Sequence, residues 1–306
     1  MAGTSERVHR SSRPVALGAT VSVFRRGAGD PTSHTDHLGT WWFAWRTPEG
    51  PATLRLTERA ALGEVHARAW GEGARWLLDG IPGLLGEHDD PGGFLAHHPV
   101  VADAWRRFPG WRVPRSLLVT QALVPAVVEQ KVTGQEAFAG YRRLVRRFGT
   151  PAPGPGAALG LVVPPDGPGW AAVPSWEWLR AGVDGGRSAT VVRAAGYAGR
   201  LEECADLPVA LARARMEALP GVGRWTSAEV AQRALGDADA VSFGDYHVAK
   251  DIGWALTGTP VDDDGLAELL EPYAGHRYRV QRLLELMALR RPRRGPRMAP
   301  RTHLPR

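Results

Sequence analysis

Apolar positions along this chain follow two regimes. In the first third they sit in short runs or alternate with polar residues. Residues 15–24 (with Val21 and Val23 alternating), 40–46 and 52–57 read as strands, the last two joined by the turn TPEGP at 47–51. Over 65–78 the apolar residues Val65, Ala69, Trp76 and Leu77 stand at helical spacing. Strands followed by a helix predict a small α+β domain with an antiparallel sheet, placed at 14–90. Residues 88–93 (HDDPGG) read as a linker at its edge, and the polar, Ser- and Arg-rich residues 1–13 as a disordered tail.

From about residue 95 the spacing is helical. Residues 117–132 are apolar nearly all round, which predicts a buried helix despite Pro125. Residues 135–148 are amphipathic, with Phe138, Tyr141, Leu144, Val145 and Phe148 on one side. Pro and Gly crowd 151–169, which predicts a long loop. Further helices are expected at 175–181, 187–201, 207–218, 224–235, 245–256, 263–271 and 276–290. The expected fold class is mostly α, with a helical domain over 95–290 and an Arg/Pro-rich, unfolded tail at 291–306. No internal repeat is detectable.

Composition narrows the classes. The chain has 306 residues, room for two domains with their own cores. No uninterrupted apolar run reaches the roughly 18 residues of a membrane span, and the N-terminus lacks the apolar stretch of a secretory signal. Cys204 is the one cysteine, which excludes an internal disulfide framework, a cysteine-built zinc site and a four-cysteine iron–sulfur cluster. The histidines show no HxxxH spacing, so no catalytic metal and no cofactor are expected. A cytoplasmic, nucleoid-associated location is expected. The net formal charge is +6, but residues 291–306 alone carry six arginines and no acid, so residues 1–290 have no net charge. Lysine is nearly absent: only Lys131 and Lys250 occur.

The informative segment is LPGVGRWTSA from Leu219, set between two predicted helices. Gly221 and Gly223 flank Val222. Two glycines permit positive φ and a close approach of phosphate to the backbone, and Val222 can plug the turn into the core. The free N–H groups then lie at the start of the second helix, where an anion is favoured. Gly221, Val222, Gly223, Arg224 and Thr226 thus form a candidate DNA-phosphate clamp that needs no lysine; a plain helical hairpin with a Gly turn is the alternative. Asp245 stands twenty residues after Trp225, where a new helix begins. An N-cap and a catalytic carboxylate are both open to it, and they are compatible.

LPGVGRWTSA followed by GDYHVAK resembles the helix–hairpin–helix DNA glycosylase superfamily, most closely its AlkA-like branch, 3-methyladenine DNA glycosylase II. The segments AVVEQKVT from Ala126 and FPGWRVP from Phe108 resemble the family's upstream helix and its approach. The resemblance covers about residues 105–290 well and 15–86 loosely. It implies a cleft between helical lobes and a partner, duplex DNA with a damaged base, from which one nucleotide is flipped out and its N-glycosidic bond hydrolysed. It implies Asp245 as the catalytic carboxylate. It also implies that Trp225 occupies the position of the Schiff-base lysine of lyase relatives, so that the enzyme is monofunctional and leaves an abasic site. Gln130 and Lys131 fall where relatives push a wedge into the duplex. Trp225 and Tyr246 are candidates for the base pocket. Glu229 and Glu285 stand where the pattern has pocket aromatics; they face solvent, or they build a pocket that favours a cation. His247 and Arg277 lie nearby and are read as structural. A monomer with an alkylated purine as substrate and no membrane partner is expected. The alternatives are a non-catalytic damage-binding protein, or a glycosylase for a bulky or oxidised lesion.

Overall fold

The computed structural model describes residues 4–11 and 13–292. The basic tail from residue 293 onward lies outside the described residues. Among the described residues, no helix is long and apolar enough to cross a membrane.

The N-terminal part is an antiparallel sheet of β1 (Thr4–Arg10), β2 (Ser33–Thr35), β3 (Trp41–Thr47), β4 (Gly50–Arg59) and β5 (Glu64–Gly71), in the order β1-β5-β4-β3-β2. One face buries Trp41, Phe43, Trp45, Leu54, Leu56, Val65 and Ala67 against Leu17, Val21, Leu77 and Ile81.

Three sequence expectations are corrected here. Residues 1–13 are not simply a tail: 4–10 form an edge strand, whose polarity is matched by ion pairs of Glu6 with Arg68 and Arg10 with Glu64. A charged edge strand reads as disordered because its polar side chains guard an open sheet edge. Residues 15–24 are not a strand. Leu17 and Val21, both buried, lie one turn apart in the helix Leu17–Val21, and Glu58 on β4 accepts the Leu17 N–H at 3.2 Å. The first half of 65–78 is β5: Val65, Ala67 and Ala69 are buried while His66 and Arg68 face outward, a period of two. Only Ala74–Asp79 is helical there.

The predicted helices beyond residue 95 form, with ends displaced by a few residues. The buried helix Val119–Val128 runs through Pro125, and Gly134–Phe148 opens with a capping box between Thr133 and Glu136. The expected loop at 151–169 instead folds into a two-stranded ribbon (Thr150–Pro151 with Val162–Val163) and short helices, and buries Ala152, Leu161 and Val163 against Ala44 on the sheet.

Two helical lobes result. The first centres on Val119–Val128 and gathers Leu144, Trp170, Trp178, Val191, Met216, Val222 and Val230. The second gathers Val101, Val241, Ile252, Leu266, Leu270 and Val280. The expected linker at 88–93 is anchored in this second lobe. Asp89, 3% exposed, makes a bidentate ion pair of 2.7 and 2.9 Å with fully buried Arg279 and accepts the Val113 N–H at 3.0 Å. The rings of Phe94, Trp105 and Trp111 stand 5.8–5.9 Å from the guanidinium. HDDPGG reads as solvated because the cation that claims Asp89 lies 190 residues away.

Removing one partner of a buried pair strands the other charge. Asp89→Ala is expected to destabilise the protein by about 3–5 kcal/mol in urea unfolding, whereas Asp90→Ala, on an exposed neighbour, should change stability by under about 0.5 kcal/mol.

Candidate active site

The hairpin joins the helices Val209–Glu217 and Arg224–Val230, the second continuing as a π-helical turn through Ala231–Leu235. Its two glycines do different work, which corrects the expectation that both supply positive φ. Gly221 has φ +94°, and a Cβ there would run into the Thr190 hydroxyl. Gly223 is extended (φ −111°, ψ −177°), and a Cβ there would meet nothing within 4 Å. It leaves an open approach to the start of the second helix. Val222 is buried in the first lobe, the plug expected from sequence.

Gln130 and Thr226 brace this turn from inside. The Gln130 amide donates to the Gly221 carbonyl at 2.9 Å and to the Thr226 hydroxyl at 2.8 Å, and Thr226 is 2% exposed. The expected place of Thr226 at the DNA surface is corrected accordingly, because the third residue of the hairpin helix faces the lobe and not the solvent; Gln130 is partly exposed beside it. Arg193 donates to the Pro220 carbonyl at 2.8 Å. Lys131 is exposed at the tip that follows, with φ +54° and no bonded partner among the described residues. Arg224 is exposed and lays its guanidinium over Phe243 at 4.9 Å.

Asp245 sits in a turn ahead of the helix Val248–Thr257. Its Oδ1 accepts the N–H groups of His247 (2.7 Å) and Val248 (3.0 Å). No cationic group among the described residues lies within ion-pair distance of it. The preceding Gly244 has φ +88° and donates its N–H to Asp263 at 2.7 Å. Trp225 packs beside Gly244, with its indole N–H buried and unbonded. Tyr246, expected in the base pocket, is 70% exposed, with the Lys250 ammonium over its ring at 3.9 Å.

Glu229 neither faces solvent nor offers a free carboxylate. It is buried; Oε1 accepts the Ser242 hydroxyl at 2.6 Å and Oε2 accepts from Arg233 at 2.8 Å. Burial alone would raise its pKa, but the Arg233 charge and the Ser242 hydroxyl outweigh it and hold the carboxyl below its usual range. Glu285 is partly exposed and accepts from Gln281 at 2.9 Å and Arg282 at 3.0 Å. Sequence reasoning missed Ser242, Gln232, Arg233 and Gln281. The available signal was the polar positions 229, 232 and 233 within the otherwise apolar stretch 228–235.

No family model matches the chain. Over 157 residues, 47% of this chain, it is 32% identical to the probable bifunctional transcriptional activator/DNA repair enzyme AlkA of Mycobacterium tuberculosis, and it spans 29% of that relative's length. Its structure matches a 3-methyladenine DNA-glycosylase from Archaeoglobus fulgidus with a TM-score of 0.74 at 16% identity, over 92% of this chain and 98% of that one. This is the fold of the helix–hairpin–helix DNA glycosylases. The 8-oxoguanine glycosylase/lyase of Clostridium acetobutylicum shares it, with a TM-score of 0.68 at 12% identity over 93% of this chain and 98% of that one. That glycosylase has also been seen in complex with dsDNA containing cytosine opposite 8-oxoG.

Gly221→Ala should cost about 1–3 kcal/mol in urea unfolding, with part of the loss recovered by adding Thr190→Ala, which removes the hydroxyl and methyl that crowd the new Cβ. Gly223→Ala should stay within about 0.5 kcal/mol of wild type. Because the folded pKa of Glu229 is lowered, its stabilisation is fully present above the ordinary carboxylate range and is lost as pH falls through the lowered value. Glu229→Gln should therefore be less stable than wild type at neutral pH, and the gap should narrow on acidification; a gap independent of pH would contradict an ionised Glu229.

Proposed function

We propose that this protein is a DNA glycosylase of base-excision repair that binds duplex DNA, flips out a damaged nucleotide and hydrolyses its N-glycosidic bond, with Asp245 as the catalytic carboxylate. The observation that carries the reading is the state of Asp245. It is held by two backbone N–H groups through one oxygen, the preceding Gly244 packs beside Trp225 of the hairpin helix, and no described cation lies within ion-pair distance of it. A carboxylate about 4 Å from a sugar of oxocarbenium character, at an effective dielectric near 20, lowers the barrier by roughly 4 kcal/mol, on the order of a thousandfold in rate. The same group can orient the attacking water.

The open approach at Gly223, with Arg224 beside it, would take a DNA phosphate on backbone N–H groups. Lys131, exposed at its tip, would contact the duplex where the flipped nucleotide leaves a gap. We take the enzyme to be monofunctional and its substrate to be an alkylated purine. An alkylated ring nitrogen makes the base a good leaving group, so one carboxylate suffices. Trp225 stands at the position that carries the amine in lyase relatives. Of the two lysines, Lys131 is at the tip and Lys250 is folded over Tyr246. The competing reading is an oxidised or bulky lesion. It is favoured by the fold shared with an 8-oxoguanine glycosylase/lyase and by the lack of aromatics at 229 and 285, where the alkylpurine pattern has them.

Base release from methylated duplex DNA and from duplex containing 8-oxoguanine tests both readings. The wild type is expected to release methylpurines and leave sites cleaved only after alkali. Asp245→Asn is expected to lose about a thousandfold in rate while binding DNA as tightly as wild type. Strand cleavage without alkali, with borohydride trapping of enzyme on DNA, would instead establish a lyase. DNA binding with no release from any lesion would leave a damage-binding protein.

A further inference from the structure

We propose that Glu229 is a positioning residue that acts on Asp245 through the Ser242 hydroxyl; the proposal rests on the glycosylase reading above. Ser242 lies three residues before Asp245 and is 1% exposed. Every polar atom it has is used. Its N–H donates to Gln281 Oε1 at 3.1 Å, and its carbonyl accepts the Asp245 N–H at 3.1 Å. Its hydroxyl meets Gln232 Nε2 at 2.8 Å, Gln281 Nε2 at 3.1 Å and Glu229 Oε1 at 2.6 Å.

A serine hydroxyl has one proton to give and two lone pairs to fill. Both glutamine nitrogens donate, so they fill the lone pairs, and the one proton goes to Glu229. The direction of every bond is thereby fixed. Glu229 is the acceptor that sets it, and the bond is charge-assisted because Arg233 keeps the carboxylate ionised. Glu229, Gln232 and Arg233 all lie on the helical segment that leaves the hairpin, and Gln281 lies on the helix Arg277–Leu286 of the second lobe. Ser242 is thus clamped from both lobes, and its carbonyl hands that placement directly to the backbone of Asp245.

The consequence concerns rate and not DNA affinity. A carboxylate displaced by an ångström still sits in the cleft but loses much of its effect on the sugar. None of the residues of this network is needed to hold a phosphate. Loss of the network should therefore divide the chemical step from binding, which general destabilisation would not do.

The experiment compares wild type, Ser242→Ala, Ser242→Thr and Glu229→Gln on the lesion that the wild type releases. It measures the single-turnover rate of base release, the Kd for an uncleavable duplex, and the fold by circular dichroism and thermal midpoint. Ser242→Ala leaves the Glu229–Arg233 pair intact and removes only the hydroxyl. It is expected to slow release about 10–100-fold with Kd within about twofold, and Ser242→Thr, which restores a hydroxyl, should recover most of the rate. Glu229→Gln should show the same split. Gln281→Met removes two of the bonds to Ser242 from the opposite lobe and serves as the second variant should Ser242→Ala fail to fold. Folded variants releasing base at the wild-type rate, or losing rate and affinity in equal measure, would overturn the proposal while leaving the glycosylase reading standing. A wild type that releases no base overturns both.

Discussion

An ionised carboxylate can stay inside a protein only if a cation and hydrogen bonds replace the water it gave up. Glu229 is where this chain meets that constraint, and the arrangement of its three parts follows from the way it is met. Arg233, one turn along the same helix, supplies the charge, but a guanidinium has five N–H groups to place. One goes to the carbonyl of Val23, at the end of the sheet's first helical segment. The two N–H groups of Nη1 are shared among the Glu229 carboxylate, the Glu229 carbonyl and the Gln232 side chain. Satisfying one buried acid on the hairpin helix therefore fixes where the N-terminal part docks, and leaves one carboxylate oxygen to take the proton of Ser242.

A second buried pair extends the same logic. Asp89 and Arg279 lock the segment after the sheet to the helix Arg277–Leu286, two residues from Gln281. Arg282, on that helix, reaches Ser22 at 2.8 Å. Arg26 pairs with Glu129 at the end of the helix Val119–Val128, one residue from Gln130 and its bonds to the hairpin. Apolar contacts hold each lobe together and also join the parts, as Ala44 of the sheet does with Ala152 and Val163. Directional, charge-assisted contacts add fixed points between the parts, and several lie close to the two short segments, the hairpin and the turn before Asp245, from which the proposed chemistry would be done.

How far the sequence announced this depends on whether a residue's role is local. Gly221 was legible because its own φ demands glycine, Val222 because it is flanked by the turn it plugs, and Asp245 because its bonds to His247 and Val248 are made within three residues. The strands and helices with clear periods were legible for the same reason. β5 was not, because two of its four buried positions are alanine, a residue that fits a helix as readily; β1 was not, because its polarity is balanced by partners distant in sequence, Glu64 and Arg68 across the ladder and Glu87 at His9. Glu229 shows the limit most clearly. Its neighbours in sequence leave it equally able to face solvent or a base, and the residue that decides, Ser242, is thirteen positions away on another element.

The two acids of this region have opposite electrostatic circumstances, which assigns them different work. Glu229 has both oxygens occupied and its charge cancelled by Arg233, so little of its field is left for a developing cation in the cleft. Asp245 has one oxygen bound by two backbone N–H groups, which orient it without cancelling its charge as a guanidinium would. An acid meant to stabilise a transient positive charge must stay ionised and unpaired until that charge appears, and it must not move while waiting. In the proposed reaction Asp245 is oriented and left without a cationic partner by its own turn. Its proposed brace is more distant: Glu229, a buried acid that would itself be unavailable for the reaction.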